Sequence, residues 1–178
     1  MMNIAAREWS PTALDATAPD LTDKLLPIAP SGQAIGTISH YFMGRYGFAK
    51  DCLVLPFSGD NPSSLIGLGL VTPGQVALSL GTSDTLFACM DQPRTSKTGE
   101  GAVFASPDGE HYMALTCYLN GSLAREAVRD MYRFDWGSFA EALRITVAGN
   151  KNGLVLPYFS PELVPKVSEP SVVRQDLN

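Results

Sequence analysis

The sequence predicts a mixed α/β fold, and three features carry that expectation. Residues 52–57, Cys-Leu-Val-Leu-Pro-Phe, form a continuous apolar run, the pattern of a strand buried on both faces. Residues 75–81, 84–90, 102–106 and 111–119 read as further strands of antiparallel type, separated by turn signals. Two stretches of helical period, 121–132 and 137–148, then precede a last apolar run, Leu154 to Phe159, expected to be a buried strand. Strands followed by helix, helix and strand make a mixed α/β order.

The N-terminal part is expected to hold short helices separated by loops. Trp9, Leu14, Leu21, Leu25 and Leu26 recur at roughly helical spacing and are interrupted by Pro19, so two short helices are predicted in residues 8–26. Residues 27–32 form a loop. Residues 39–46 read as a helix with Ser39 as N-cap and Gly47 as stop. After the apolar run at 52–57, Ser58-Gly59-Asp60 turns the chain into a helix with Pro62 in its first turn, where a missing N–H costs nothing, and Asn61 is a candidate cap. Gly67 and Gly69 are expected to let that helix pack closely. Pro73-Gly74 and Pro107-Asp108-Gly109 are turn signals. Composition shifts near 71–74, giving expected domains 1–71 and 72–178.

Composition narrows the function classes. With 178 residues, 45% hydrophobic and 17% charged, the chain is globular and large enough for a core. A formal net charge of −5 with no basic stripe argues against nucleic acid as a partner. No apolar run approaches the length of a membrane span and no signal-peptide pattern opens the chain, so neither a membrane partner nor secretion is expected. Cys52, Cys89 and Cys117 sit in apolar runs without paired spacing, as buried free thiols of a cytoplasmic protein do. His40 and His111 show no metal-ligand spacing and read as surface or packing residues. The start, Met1 to Ile4, and the polar end, 170–178, look like cut edges of something longer.

Two short strings carry the chemistry. Ser58-Gly59-Asp60-Asn61 ends a strand-like run in an acid at a helix start. The helix dipole keeps such a carboxylate ionised, so Asp60 is either a helix cap or a base that accepts a proton from an attacking hydroxyl. Asn61 has both donors and acceptors and is either a turn residue or a hydroxyl-holding one. Leu78-Ser79-Leu80-Gly81-Thr82-Ser83-Asp84-Thr85 is the second string. Gly81 allows close backbone approach, and successive N–H groups with the Thr82 and Ser83 hydroxyls suit an anion nest, or an ordinary hairpin turn. It is not a Walker-type loop, because no GxxxxGK[ST] occurs. Asp84 is a supporting acid or a turn residue. Asn120-Gly121-Ser122 is a capping sequence, with a nucleotide-facing helix end as the alternative, and Trp136 is a core residue or a platform for a flat ring. An acid base beside a phosphate cradle is what phosphoryl transfer requires.

Together these residues resemble the FGGY carbohydrate kinases, and among them the xylulokinase branch. Leu53 to Gly69 is similar to the family's strand, Gly-Asp-Asn turn and small-residue helix, Val76 to Thr85 to its Leu-Ser-Leu-Gly-Thr-Ser phosphate motif, and Leu154 to Pro165 to its Pro-Tyr segment. His111 to Glu126, and Asp135-Trp136 followed by Phe139 and Leu143, resemble the branch that includes the animal enzymes. The resemblance implies an incomplete ribonuclease H-like (actin-like ATPase) fold. Residues 1–71 would be the end of the sugar-binding domain and 72–178 the start of the ATP-binding domain. It also implies Asp60 as the catalytic base, Asp60 and Asn61 as sugar contacts, and Gly81, Thr82, Ser83 and Trp136 as nucleotide contacts. The implied reaction is phosphorylation of D-xylulose by ATP with Mg2+, and a homodimer is compatible with it. Members of the family are much longer, and Ser160-Pro161-Glu162-Leu163 stands where bacterial relatives carry Gly-Glu-Arg, which puts that loop's role in doubt. The 178 residues alone are expected to be inactive. Alternatives are a kinase for another sugar or polyol, a sugar or nucleotide sensor on the same fold, and an actin-like structural ATPase; the presence of Asp60 weighs against the sensor.

Overall fold

The structure, a computed structural model, describes residues 1–176. A two-residue pair, β1 (Met2–Asn3) with β2 (Glu8–Trp9), opens the chain. Helix α1 (Pro11–Thr17) follows; Ser10 caps it, its Oγ accepting the Ala13 N–H at 3.3 Å. A 3-10 turn (Pro19–Lys24) begins at the predicted proline break. β3 (Gly36–Thr37) precedes α2 (His40–Tyr46), which Gly47 ends in the left-handed conformation at φ 73°. Ser39 stands at the N-cap as expected, though its side chain makes no capping hydrogen bond.

β4 (Leu53–Val54) pairs antiparallel with β3. This corrects the expectation of a strand buried on both faces over 52–57: Leu53 is 64% exposed and Phe57 94%. An apolar run supplies surface to bury, but a two-residue partner covers neither face. Helix α3 (Asp60–Gly67) has Gly59, not Asn61, as its N-cap, and Pro62 lies in its first turn. No atom would meet a Cβ at Gly67 or Gly69, so close packing does not explain them; Gly69 is required by its φ of 74°.

The expected hairpins are present. β5 (Val76–Leu80), β6 (Asp84–Met90), β7 (Ala102–Ala105) and β8 (Tyr112–Tyr118) form one sheet in the order β5-β6-β8-β7. On the edge strand β5, Val76, Leu78 and Leu80, alternate residues on one face, are all exposed. Helices α4 (Ser122–Met131) and α5 (Trp136–Ile145) come next. β9 (Gly153–Tyr158) pairs antiparallel with β10 (Ser171–Asp176), from Gly153↔Asp176 to Tyr158↔Ser171. β9 was expected to be buried, yet Leu154, Val155 and Leu156 are all exposed: pairing with β10 covers an edge of the strand and not its faces. No strand was expected in the polar end, 170–178; residues 171–176 form one, and 177 and 178 lie outside the described residues.

The chain divides into two compact units: residues 1–77, 87–95 and 103–114 in the first, and 78–86, 96–102 and 115–178 in the second. Most buried apolar side chains belong to the first: Leu14, Leu65, Leu70, Phe87, Cys89, Tyr112 and Met113. The second buries Ala124 and, unusually, the carboxylate of Glu162. Cys52 and Cys117 are half-buried rather than buried, and all three cysteines are free thiols. Among the described residues no helix is long and apolar enough to cross a membrane.

Candidate active site

Asp60 and Asn61 share a cleft of about 690 Å3 within the first unit, lined also by Arg7, Phe57, Pro62 and Ser106. That volume suits a small-molecule ligand. Asp60 is exposed at the first position of α3. Its Oδ1 accepts the Asn61 N–H at 2.8 Å, which fixes the rotamer and leaves Oδ2 for another donor. Ser106 is buried, and although the Asp108 carboxyl feels its hydroxyl, no hydrogen bond of proper length and angle forms at its Oγ. At the neighbouring turn, Asp108 accepts the N–H groups of Glu110 and His111, each at 2.9 Å, and lies 2.9 Å from the His111 ring Nδ1. Burial pushes the Asp108 carboxyl up, and these donors outweigh it, so its pKa lies below the usual value. Burial, aided by the Asp108 charge, raises the thiol pKa of Cys89, the opposite of the lowering that activates a nucleophilic cysteine.

The second string is held within the second unit. Gly81, Thr82 and Ser83 join β5 to β6, with Thr82 exposed and its neighbours half-buried. The turn lies against the entry to α4. Gly81 C=O accepts the Ser122 N–H at 2.9 Å. A Cβ on Gly121 would lie 2.7 Å from both Thr82 O and Asp84 N, so only glycine fits there. Asp84 is held by α4: the Arg125 guanidinium binds it through two parallel bonds of 2.7 and 2.8 Å, and Arg125 also donates to Ser122 Oγ at 2.9 Å. The Arg125 hydrogen bond holds the Asp84 carboxyl below the usual range, against the opposing effect of burial.

Trp136 is the first residue of α5, capped by Asp135, whose Oδ1 accepts the Ser138 N–H at 2.7 Å. It is not a core residue: it is 59% exposed, with the Arg129 guanidinium 4.2 Å from the ring centroid and Phe139 edge-on at 6.2 Å. Asn120 caps no helix. Its amide accepts the Ser160 N–H at 3.0 Å and donates to Glu162 at 2.9 Å. The sequence showed Asn120 and Glu162 only inside short strings and assigned Arg125 no role; that Asn120 pairs with Glu162 and Arg125 with Asp84 was not legible, because these partners lie about forty residues apart along the chain, beyond the reach of any local pattern.

No metal cage is gathered: among the described residues no group of three or more His, Cys, Asp or Glu could hold an ion.

No family model matches the chain. It is similar to the xylulose kinase of Mus musculus, 44% identical over 169 residues, which is 94% of this chain and 30% of that protein. Xylulose kinase 2 of Arabidopsis thaliana is also 44% identical, over 93% of this chain and 30% of the relative. Among solved structures, a xylulose kinase from Brucella ovis superimposes with a TM-score of 0.80 at 23% identity, covering 98% of this chain and 36% of that one. That likeness shows the actin-like ATPase fold of the sugar kinases. The chain thus spans about a third of the length of the curated relatives it matches. Over the stretch it spans, the chain belongs to the xylulose kinases of the FGGY carbohydrate kinase family.

Proposed function

We propose that the chain contributes to an ATP-dependent kinase that phosphorylates D-xylulose to D-xylulose 5-phosphate, with Asp60 as general base. The observation that carries this reading is the 44% identity to a xylulose kinase across 94% of the chain. The local geometry supports it. An exposed carboxylate with one free oxygen stands at a helix N-terminus in a cleft of ligand size. A hydroxyl-bearing glycine turn is braced by a helix and an ion pair.

In the proposed reaction a sugar hydroxyl gives its proton to the free oxygen of Asp60 as its oxygen attacks the γ-phosphorus. The new O–P bond forms as the bond to the β,γ-bridging oxygen breaks, and ADP leaves with that electron pair. Asn61 orients a second sugar hydroxyl. The Gly81–Ser83 turn offers N–H and hydroxyl donors to phosphate oxygens, and Trp136 borders the nucleotide. Mg2+ would be carried by the phosphates and water, where it neutralises charge. The protein is placed in the cytoplasm, and residues 1–178 on their own are inactive in this reading.

The test is sugar-dependent ADP release by the intact protein beside Asp60→Asn, which keeps shape and removes the base. Turnover should fall by at least about a hundredfold, the usual weight of a general base, with sugar affinity retained. A variant with unchanged turnover removes Asp60 from the mechanism. A wild type that ignores xylulose and accepts another polyol overturns the substrate while leaving the base.

A further inference from the structure

Glu162 is 4% exposed, and no other carboxylate among the described residues is buried. Among the described residues no cation lies within ion-pair distance of it, and its charge is met by four N–H groups. Oε1 accepts from Leu119 N and Leu163 N, both at 2.8 Å. Oε2 accepts from Asn120 N at 3.1 Å and Asn120 Nδ2 at 2.9 Å. Its own backbone is fixed by a reciprocal pair with Val167, at 2.9 and 3.0 Å. Asn120 is gripped a second time, by Ser160. A buried, unpaired charge is tolerated only where donors satisfy it this fully, so the site is rigid.

What Glu162 grips is Leu119 and Asn120, the first two of the three residues that link β8 to α4. The next residue is Gly121, whose backbone presses on Thr82 and Asp84 with no room for a Cβ. Ser122 then donates to Gly81, and Arg125, one turn on, holds Asp84. Glu162 is thus two residues from the surface against which the Gly81–Ser83 turn is shaped.

We propose that Glu162 is a positioning residue for nucleotide binding: through Leu119 and Asn120 it fixes the entry of α4, and that entry fixes the phosphate-facing shape of the Gly81–Ser83 turn. The inference rests on the proposed reading of that turn as a phosphate contact. Glu162 touches no substrate. Its effect falls on the nucleotide and spares the sugar, a selectivity that a general folding role would not produce.

The experiment is ADP affinity, measured without sugar, and separate KM values for ATP and xylulose, for the intact wild type and Glu162→Gln. The amide replaces one of the two acceptor oxygens by a donor, which then faces either the N–H groups of Leu119 and Leu163 or the two N–H groups of Asn120. ADP dissociation and KM for ATP should rise about tenfold, within the usual span of coupling between sites, with KM for xylulose unchanged within about twofold. Equal weakening of both substrates, or of neither, overturns the role of Glu162. A wild type that binds no ADP overturns instead the reading of the turn. Should Glu162→Gln not fold, hydrogen exchange in the wild type decides. Coupling is reciprocal, so ADP should slow exchange of the Leu119 and Asn120 amides. Unchanged exchange under saturating ADP refutes the proposal.

Discussion

Gly121 shows how little a single residue need do to control a site. Its φ is −91°, so it does not occupy the left-handed conformation that accounts for Gly47 and Gly69. Its identity is set by space: a methyl group there would sit 2.7 Å from two backbone atoms of the facing turn. Both neighbours are main chain and cannot swing aside. Gly121→Ala should destabilise by about 1–3 kcal/mol, the usual range for overpacking, and should weaken ADP binding more than sugar binding. Thermal unfolding and ADP titration check this; a variant with wild-type Tm and affinity would show that the turn does not rely on this contact. The sequence presented Asn120-Gly121-Ser122 as an ordinary helix opening, because a glycine before a helix looks the same whether it serves the helix or a neighbour. Asp60 is the opposite case. Its position at a helix start was legible from the apolar run before it and Pro62 after it, since both signals are local.

At the scale of elements, the hairpin of β5 and β6 is joined to α4 by one bidentate ion pair, Asp84 with Arg125. The Asp84 side chain is largely covered while that of Arg125 is 39% exposed, so solvent screens the pair and it is worth of order 1 kcal/mol. The Asp84 pKa is lowered on folding, chiefly by the Arg125 hydrogen bond. A lowered carboxylate pKa contributes stability above the unfolded value of about 3.9, and that contribution disappears as pH falls through the folded value. The Tm difference between wild type and Asp84→Asn should therefore be constant from neutral pH down to about 5 and shrink below about 4. A difference that persists undiminished in acid would mean that the ion pair is not its source. The two hairpins themselves were legible in the sequence, because Gly-Thr-Ser and Pro-Asp-Gly specify turns through their own backbone preferences. β10 was not, because Ser171–Asp176 alternates poorly and becomes a strand only by pairing with β9.

On the scale of the whole molecule, apolar surface is left uncovered. Phe57 at the mouth of the Asp60 cleft is 94% exposed, and the strands at 53–54 and 153–158 have open faces. The chain spans about 30% of the length of its curated relatives. Phosphoryl transfer depends on positioning and charge neutralisation far more than on any one side chain. No group of three metal-ligating residues gathers among the described residues. Residues 1–178 alone, mixed with ATP, Mg2+ and D-xylulose, should release no sugar-dependent ADP; measurable release would show that these residues suffice.

The sequence by itself determined the local features: the breaks at Pro19 and Gly47, the helix start at Asp60, the turn at Gly81–Ser83, and the family to which these strings belong. Each depends on the preferences of a few adjacent residues, so each is written where it acts. Only the tertiary structure decided which apolar runs are covered, that Gly121 is glycine for lack of room, and that Asp84 answers to Arg125 and Asn120 to Glu162. Those outcomes depend on groups about forty residues apart meeting in space, and burial and hydrogen bonding are properties of such meetings rather than of either partner.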